Sequence, residues 1–375
     1  SDEMNDCIQL LFFPTVRECN AALAAFGDNR DFLRALKFFG KMRKAQAIAI
    51  AGFPVPAPDL VTYSTMMSRF VKFNKPLVAL RLWILRDTNI QIDTKAANIW
   101  MNCYAKLADV NQARQLLNDM EHGTGSLPPP NLITYNTFLS ACQKAGDLDA
   151  AVELYNHLLN ETTIQPDTRT YTTLIATVAR RASKNSGRYD PSLAFDFLES
   201  MVAKKIQPNG MTYSALIDAC ARCRRSDLAL KGLRIMLKHK ANNTVLPNEV
   251  GAWTAAINAC GRSGRLDTAL KLFYTMPKFG VEPNVFTCGS LTDSLLRAGR
   301  TAQTLEILRY MKKHKIRPSE VMYTSLLSRA ENLVRLERKH TYYYQRDRRP
   351  SPINTTQNDA DQEITEDTKA IQVYT

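Results

Sequence analysis

No apolar run in the 375-residue chain is long enough to cross a membrane. The least polar stretch, Ala45 to Pro58, is broken by Gln46, Gly52, Pro54 and Pro56, short of the roughly 18 to 20 residues a spanning helix needs. Cysteine is sparse: Cys7, Cys19, Cys103, Cys142, Cys220, Cys223, Cys260 and Cys288 are too scattered for a disulfide scaffold, so reduced thiols are expected. Cys220-Ala-Arg-Cys223 is a metal half-site without a second pair, and Cys220 shares its phase of the repeat described below with Cys142 and Cys260, which favours a small core residue. There is no Gly-rich phosphate loop, no His-x-Glu with paired Cys-x-x-Cys, and no acidic cluster of the kind metal-dependent nucleases use. His122, His157, His239, His314 and His340 have no Cys or Ser partner at a recurrent offset and read as exposed helix-end residues. The expectation is no catalytic residue, no metal and no cofactor. The first dozen residues are acidic, unlike a secretory signal or an Arg-rich transit peptide; the chain starts without Met, and a removed N-terminus stays open.

Against these absences, 45% of residues are hydrophobic and 23% charged, an ordinary globular balance. The net charge of +13 is uneven: residues 1–13 carry −3, residues 335–349 carry +4, residues 350–375 carry −4, and the body between 14 and 334 carries +16. So basic a body suggests a polyanionic partner, nucleic acid before a membrane surface.

A Pro followed by Asp, Asn or Ser recurs at Pro58-Asp59, Pro130-Asn131, Pro166-Asp167, Pro208-Asn209, Pro247-Asn248, Pro283-Asn284 and Pro318-Ser319, with Ile92-Asp93 filling the gap. Successive spacings are 34, 38, 36, 42, 39, 36 and 35. A Thr-Tyr-like pair follows each anchor, as in Thr62-Tyr63, Thr134-Tyr135, Thr170-Tyr171 and Thr212-Tyr213. A small residue recurs 15 positions beyond the residue that follows the pair: Ala35, Ala79, Ala113, Ala151, Ala229, Ala269 and Thr304, with Ala194 delayed by an insertion. Within a copy the apolar residues keep a helical period, as in Ala151, Leu154, Tyr155 and Leu158, and Gly146, Gly264 and Gly299 mark a turn at the midpoint. Each copy is therefore expected to be a helical hairpin, closed by an Asp or Asn that caps the next. Trp83, Trp100 and Trp253 fall at different phases and read as core.

The stretches Ile133 to Tyr155, ITYNTFLSACQKAGDLDAAVELY, and Thr212 to Cys220, TYSALIDAC, resemble the P-type pentatricopeptide repeat (PPR) family. The resemblance implies an all-α, right-handed superhelical solenoid of helix-turn-helix repeats. Its expected layout is an N-terminal segment 1–15, then eight hairpins at 16–59, 60–93, 94–131, 132–167, 168–209, 210–249, 250–284 and 285–319. A partial ninth repeat with a basic aromatic segment follows at 320–349, and a disordered acidic tail at 350–375.

Two stripes along the first helices carry the functional expectation. Eight residues beyond the residue that follows the pair lie Lys72, Lys106, Lys144, Arg180, Arg222, Arg262 and Arg297, basic in copies two to eight, while copy one has Asp28. One cation per copy matches one phosphate per nucleotide; a solvated helix end is the plainer alternative. The residue just after the pair combines with the residue closing the copy as Asn20/Asp59, Ser64/Asp93, Asn98/Asn131, Asn136/Asp167, Thr172/Asn209, Ser214/Asn248, Thr254/Asn284 and Gly289/Ser319. Helix-start and cap preferences account for those residue types on their own. The resemblance implies instead that each pair reads the Watson–Crick edge of one base. Asn in first place then favours pyrimidines and Ser or Thr purines, while closing Asp favours U and G and closing Asn favours A and C. The implied target is single-stranded RNA near 5′-UG(C/U)UAAA-3′. The residue preceding the pair is to sandwich the base; Val61, Ile133, Met211 and Phe286 suit that, as does Val321, whereas Arg17, Lys95, Arg169 and Gly251 depart from it.

The expected activity is non-enzymatic, sequence-specific RNA binding in organellar RNA processing, stability or translation, in mitochondrion or chloroplast. The alternatives are a protein–protein scaffold of helical hairpins and a recruitment subunit for a separate nuclease or ribosome. Protein partners are open and no membrane is expected.

Overall fold

A computed structural model describes residues 15–47, 56–86, 89–184, 190–242 and 249–328. Among these residues the regular structure is entirely helical. Contacts divide the chain into two units, Ser1–Lys184 and Asn185–Thr375.

The first unit contains α1 (Val16–Asp28), α2 (Phe32–Ala47), α3 (Leu60–Lys72), α4 (Pro76–Ile84), α5 (Thr94–Leu107), α6 (Val110–Glu121), α7 (Leu132–Ala145), α8 (Leu148–Asn160) and α9 (Thr168–Lys184). The odd-numbered helices stack in a row, α1 on α3, α3 on α5, α5 on α7 and α7 on α9. Each even-numbered helix folds back on the helix before it, and α4, α6 and α8 also pack on the one after. The second unit contains α10 (Ser192–Ala203), α11 (Gly210–Arg222), α12 (Ser226–Asn242), α13 (Glu249–Arg262), α14 (Leu266–Thr275), α15 (Val285–Arg297) and α16 (Thr301–Lys313), with residues 320–328 beginning one more helix. Its row is α11 on α13 on α15. Each unit is thus a run of stacked helical hairpins, in which a copy buries its apolar stripe only against its neighbours.

The packing follows the repeat. The small residues Ala35, Ala79, Ala113, Ala151, Ala194, Ala229 and Ala269 are all buried, and so is Thr304 at the same phase of copy eight. Turns between the two helices need one residue at positive φ. Gly146 and Gly264 supply it at φ 67° and 76°, but Ala108 occupies the same kind of turn at 58°, so glycine marks only some of the midpoints. Helix starts are fixed by the closing residues: Asp59, Asn131, Asn209 and Asn284 each accept the backbone N–H of a Thr three residues on, and that Thr hydroxyl accepts the closing residue's own N–H. Asp167 does the same with Thr170.

The tyrosine of the pair is buried in copies two, four, five and six, and its hydroxyl finds a partner beyond its own helix. Tyr63 donates to the Leu85 carbonyl, Tyr135 to Glu121, Tyr171 meets Tyr155, and Tyr213 meets His239. Two histidines read from sequence as exposed helix ends are therefore parts of these ties. His239 is half-buried against Tyr213, with the rings 5.9 Å apart. His157 lies between two carboxylates, Nε2 2.9 Å from Glu121 Oε1 and Nδ1 2.8 Å from Glu161 Oε2. Only a doubly protonated ring can donate to both. Burial lowers the proton affinity of His157, but the bonds to Glu161 and Glu121 and their charges outweigh it, so it is held above its usual value. A raised folded value means that the stabilisation is complete below about pH 6.5 and fades as pH rises through the folded value. The melting temperature should therefore fall more in His157→Gln at pH 6 than at pH 8.5. Equal losses at both pH values would exclude the imidazolium bridge.

All seven described cysteines are buried and unpaired. Burial pushes the Cys220 thiol up to about 12 and the Cys223 thiol up to about 11, which keeps them protonated near neutrality. Trp83 and Trp253 are core residues, while Trp100 is half-buried beside Trp83 at 5.5 Å.

Candidate nucleic-acid interface

The pair residues lie on the first helices of the hairpins, and in three copies of the first unit the side chains of a pair are bonded together. Asn20 Nδ2 donates to Asp59 Oδ1 at 3.2 Å, Asn98 Nδ2 to Asn131 Oδ1 at 3.4 Å, and Asn136 Nδ2 to Asp167 Oδ1 at 3.2 Å. The capping threonine completes the link: Thr134 Oγ1 donates to Asn98 Oδ1 at 2.6 Å, and Thr170 Oγ1 to Asn136 Oδ1 at 2.8 Å. In the first copy Asn20 Oδ1 is buried without such a donor. In the second unit Thr254 Oγ1 lies 2.7 Å from Thr287 Oγ1, which also bonds Asn284. Ser64, Thr172 and Ser214 turn their hydroxyls to backbone carbonyls four residues back, on Leu60, Thr168 and Gly210. Asp93 caps α5 through Ala96 N–H at 2.7 Å. Ser319 accepts from Met322 N–H. Asn248 lies outside the described residues, and Thr172 and Asn209 belong to different units.

Capping and pairing meet on one atom. Asp59 Oδ1 accepts from Thr62 N–H, Thr62 Oγ1 and Asn20 Nδ2, and Asn131 Oδ1 accepts from Thr134 N–H and Asn98 Nδ2. Burial raises the Asp59 and Asp167 carboxyls, but the hydrogen bonds from Thr62 and Asn20, and from Thr170 and Asn136, outweigh it and hold both below the usual carboxylate range.

The residues preceding the pair stand in solvent. Val61, Ile133, Met211, Phe286 and Val321 are 54 to 75% exposed, unusual for large apolar side chains at one recurring phase. Arg17, Lys95 and Arg169 are exposed at that phase too. Gly251 lies beside Ser214 of the preceding copy: a Cβ there would be 2.6 Å from Ser214 Oγ, which would have to turn aside.

The cation stripe is real but uneven. Lys72, Lys106, Lys144, Arg180, Arg262 and Arg297 are exposed and Arg222 is half-buried. Burial lowers the proton affinity of Lys144 and the charge of Lys106 lowers it further, so cations of adjacent copies feel each other. Three members carry acidic partners: Lys72 meets Asp28 at 3.4 Å, Arg222 meets Asp218 at 2.6 Å, and Arg297 meets Asp293. Asp28, which breaks the basic pattern in the first copy, is held by Arg69 at 2.6 Å. Lys106, Lys144, Arg180 and Arg262 form no ion pair among the described residues.

Known repeat profiles match nearly all of this array. A PPR repeat matches residues 19–46, 61–85 and 96–122, the PPR repeat family matches 130–180, and the pentacotripeptide-repeat region of PRORP matches 176–349. A chloroplastic pentatricopeptide repeat-containing protein of Arabidopsis thaliana is 26% identical over 68% of this chain and 32% of its own length. A mitochondrial one from the same plant is 24% identical over 72% and 37%. The chain thus spans about a third of those relatives' length. Among solved structures, the pentatricopeptide repeat protein PPR10, a maize protein, in complex with an 18-nt psaJ RNA element, matches with a TM-score of 0.66 and 20% identity, covering 92% of this chain and 47% of that one. The likeness establishes a shared solenoid fold. By its repeated sequence pattern, its stacked hairpins and these matches, the chain belongs to the pentatricopeptide repeat family.

Proposed function

We propose that the chain binds single-stranded RNA, one base per copy along a P-type array, and acts by occupying a transcript without catalysis of its own. The observation that carries this reading is the division of labour in the closing residue. Asp59, Asn131, Asp167, Asn209 and Asn284 hold their helices through Oδ1. The other terminal atom is then the one to meet a ligand: a carboxylate oxygen in Asp, an amide NH2 in Asn. An acceptor suits the ring N–H of U or G, and a donor suits the bare ring nitrogen of C or A. Exposed apolar residues one turn away supply a surface for the base faces, and the cation stripe supplies charge for the backbone. The target this reading favours is near 5′-UG(C/U)UAAA-3′. Chloroplastic and mitochondrial relatives support an organellar role in RNA processing, stability or translation.

Random-pool RNA selection at physiological salt tests the reading. Enrichment of a UAAA-containing motif is expected. Seven phosphate contacts would give a log-log salt slope of about −5, and the four unpaired cations alone about −3, so a value in that interval is expected. Tight binding without enrichment would leave a nonspecific RNA binder, and no binding would favour a protein scaffold.

A further inference from the structure

Between α6 and α8, the second helices of copies three and four, lies a cavity of about 390 Å³, a size usual for ligand sites. Its floor is apolar: Leu117 of α6, Leu154 of α8 and Phe138 of α7, on which both helices pack. Phe138 follows the pair residue Asn136 by two positions, which carries it about 160° round the helix. The cavity therefore opens on the side of α7 away from the residues assigned to the bases, and an occupant there leaves the RNA path free. Two ion pairs cross it from copy to copy, Arg114 Nη1 to Glu153 Oε2 at 2.7 Å and His157 Nε2 to Glu121 Oε1 at 2.9 Å. Between these ties Asn118 and Asn156 line the cavity at one phase of the two copies. Both are exposed, and neither side chain makes a hydrogen bond among the described residues.

The charge of this surface is opposite to that of the body. Residues 109–121 and 147–161 carry −2 and −4 with His157 neutral, whereas the corresponding segments of copies one and two, 31–47 and 75–86, carry +4 and +3. A polyanion is repelled here and a cation attracted. Among the described residues no group of three His, Cys, Asp or Glu could hold a metal ion, so the cation that fits is organic. Glu153 and Glu161 stand at the rim with side chains 66 and 69% exposed. Exchanging one exposed ion pair, Arg114 with Glu153, for another costs little. An apolar floor below carboxylates suits the stem and head of Arg or Lys. A side-chain amide with its C=O and NH2 both free matches a peptide group. We propose that the groove between α6 and α8 docks an extended basic peptide of a partner protein. An Arg or Lys of that peptide enters over Leu117 and Leu154 to reach Glu153 and Glu161, and the amides of Asn118 and Asn156 hold its backbone. Docking of this kind needs no RNA, and it places a protein partner and RNA on opposite sides of copy four.

Fluorescence anisotropy of a labelled peptide of alternating Gly and Arg, titrated with the full chain in the absence of RNA, tests the docking. The expected result is saturable binding that Glu153→Gln/Glu161→Gln weakens by about tenfold or more, since two charge-assisted contacts are lost. Asn118→Ala/Asn156→Ala, which breaks no bond of the fold, should weaken it by about fivefold or more. Asp119→Asn/Asp149→Asn removes the same charge from the same two helices outside the cavity and should leave the affinity within about twofold of wild type. Melting curves separate lost binding from lost fold, and if the glutamate variant fails to fold, the asparagine variant decides. Equal losses in the glutamate and aspartate variants mean diffuse attraction and overturn the site. Arginine amide binding as tightly as the peptide makes the cavity a site for a small cation and overturns peptide docking. Absence of peptide binding overturns it too; a dimer seen in sedimentation and lost in Glu153→Gln/Glu161→Gln then gives the groove to a second copy. None of these outcomes bears on RNA binding, which the random-pool selection tests.

Discussion

Asp167→Asn is expected to move the base preferred by the fourth copy from U to C while leaving the fold as it is. Asp167 Oδ1 accepts from Thr170 N–H at 2.8 Å and from Asn136 Nδ2 at 3.2 Å, while the Thr170 hydroxyl gives its one proton to Asn136 Oδ1. An asparagine carbonyl oxygen can accept both, and Asn caps helices about as well as Asp. What changes is the other terminal atom, from an anionic acceptor to an amide donor. A ring N–H then faces a donor, and a bare ring nitrogen gains one. The discrimination should be about 1–3 kcal/mol by comparison with other good base contacts, or roughly 5- to 150-fold in relative affinity. Paired binding measurements on RNAs differing only at that base decide the matter, with a melting curve beside them. A variant that melts like wild type and still prefers U would remove the closing residue from base reading.

The second large effect concerns stability. Trp253 stands where other copies have the tyrosine of the pair, is fully buried, and lies 5.5 Å from the ring of Phe279. Unlike the hydroxyls of Tyr63, Tyr135, Tyr171 and Tyr213, its buried Nε1–H has no acceptor among the described residues. Trp253→Ala should cost about 3–5 kcal/mol from lost burial and the cavity left behind. Trp253→Phe should cost less than about 2 kcal/mol, because losing the orphan N–H recovers part of a desolvation penalty of about 1–3 kcal/mol. Since each hairpin leans only on its neighbours, hydrogen exchange in Trp253→Ala should rise first in α13 and α14. Similar losses in both variants would show that the N–H costs nothing.

Much of the array is legible in the sequence because a repeat turns one weak signal into several. The alanine phase, the capping Asp or Asn, the Thr-Tyr pair and the basic phase each recur, and their spacing places them on helices before any coordinates are known. What was not legible is whatever depends on neighbours of a different phase. Nothing in the spacing of His157 announces that Glu121, a full copy earlier, and Glu161 close on its two nitrogens. Nor does the basic stripe reveal that Asp28 and Asp218 oppose two of its members. The sequence does not show that Gly251 lies beside Ser214 of the preceding copy. The bond between Asn136 and Asp167 joins two residues that sequence reasoning paired for their ligand alone.

The shared oxygen at each helix start has an evolutionary consequence. Because Oδ1 does the capping whether the residue is Asp or Asn, a point mutation between the two is invisible to folding and need not wait for a compensating change elsewhere. Copies of such an array can drift independently in what they contact, and duplicated genes can diverge in their targets while every intermediate along the way remains a folded protein.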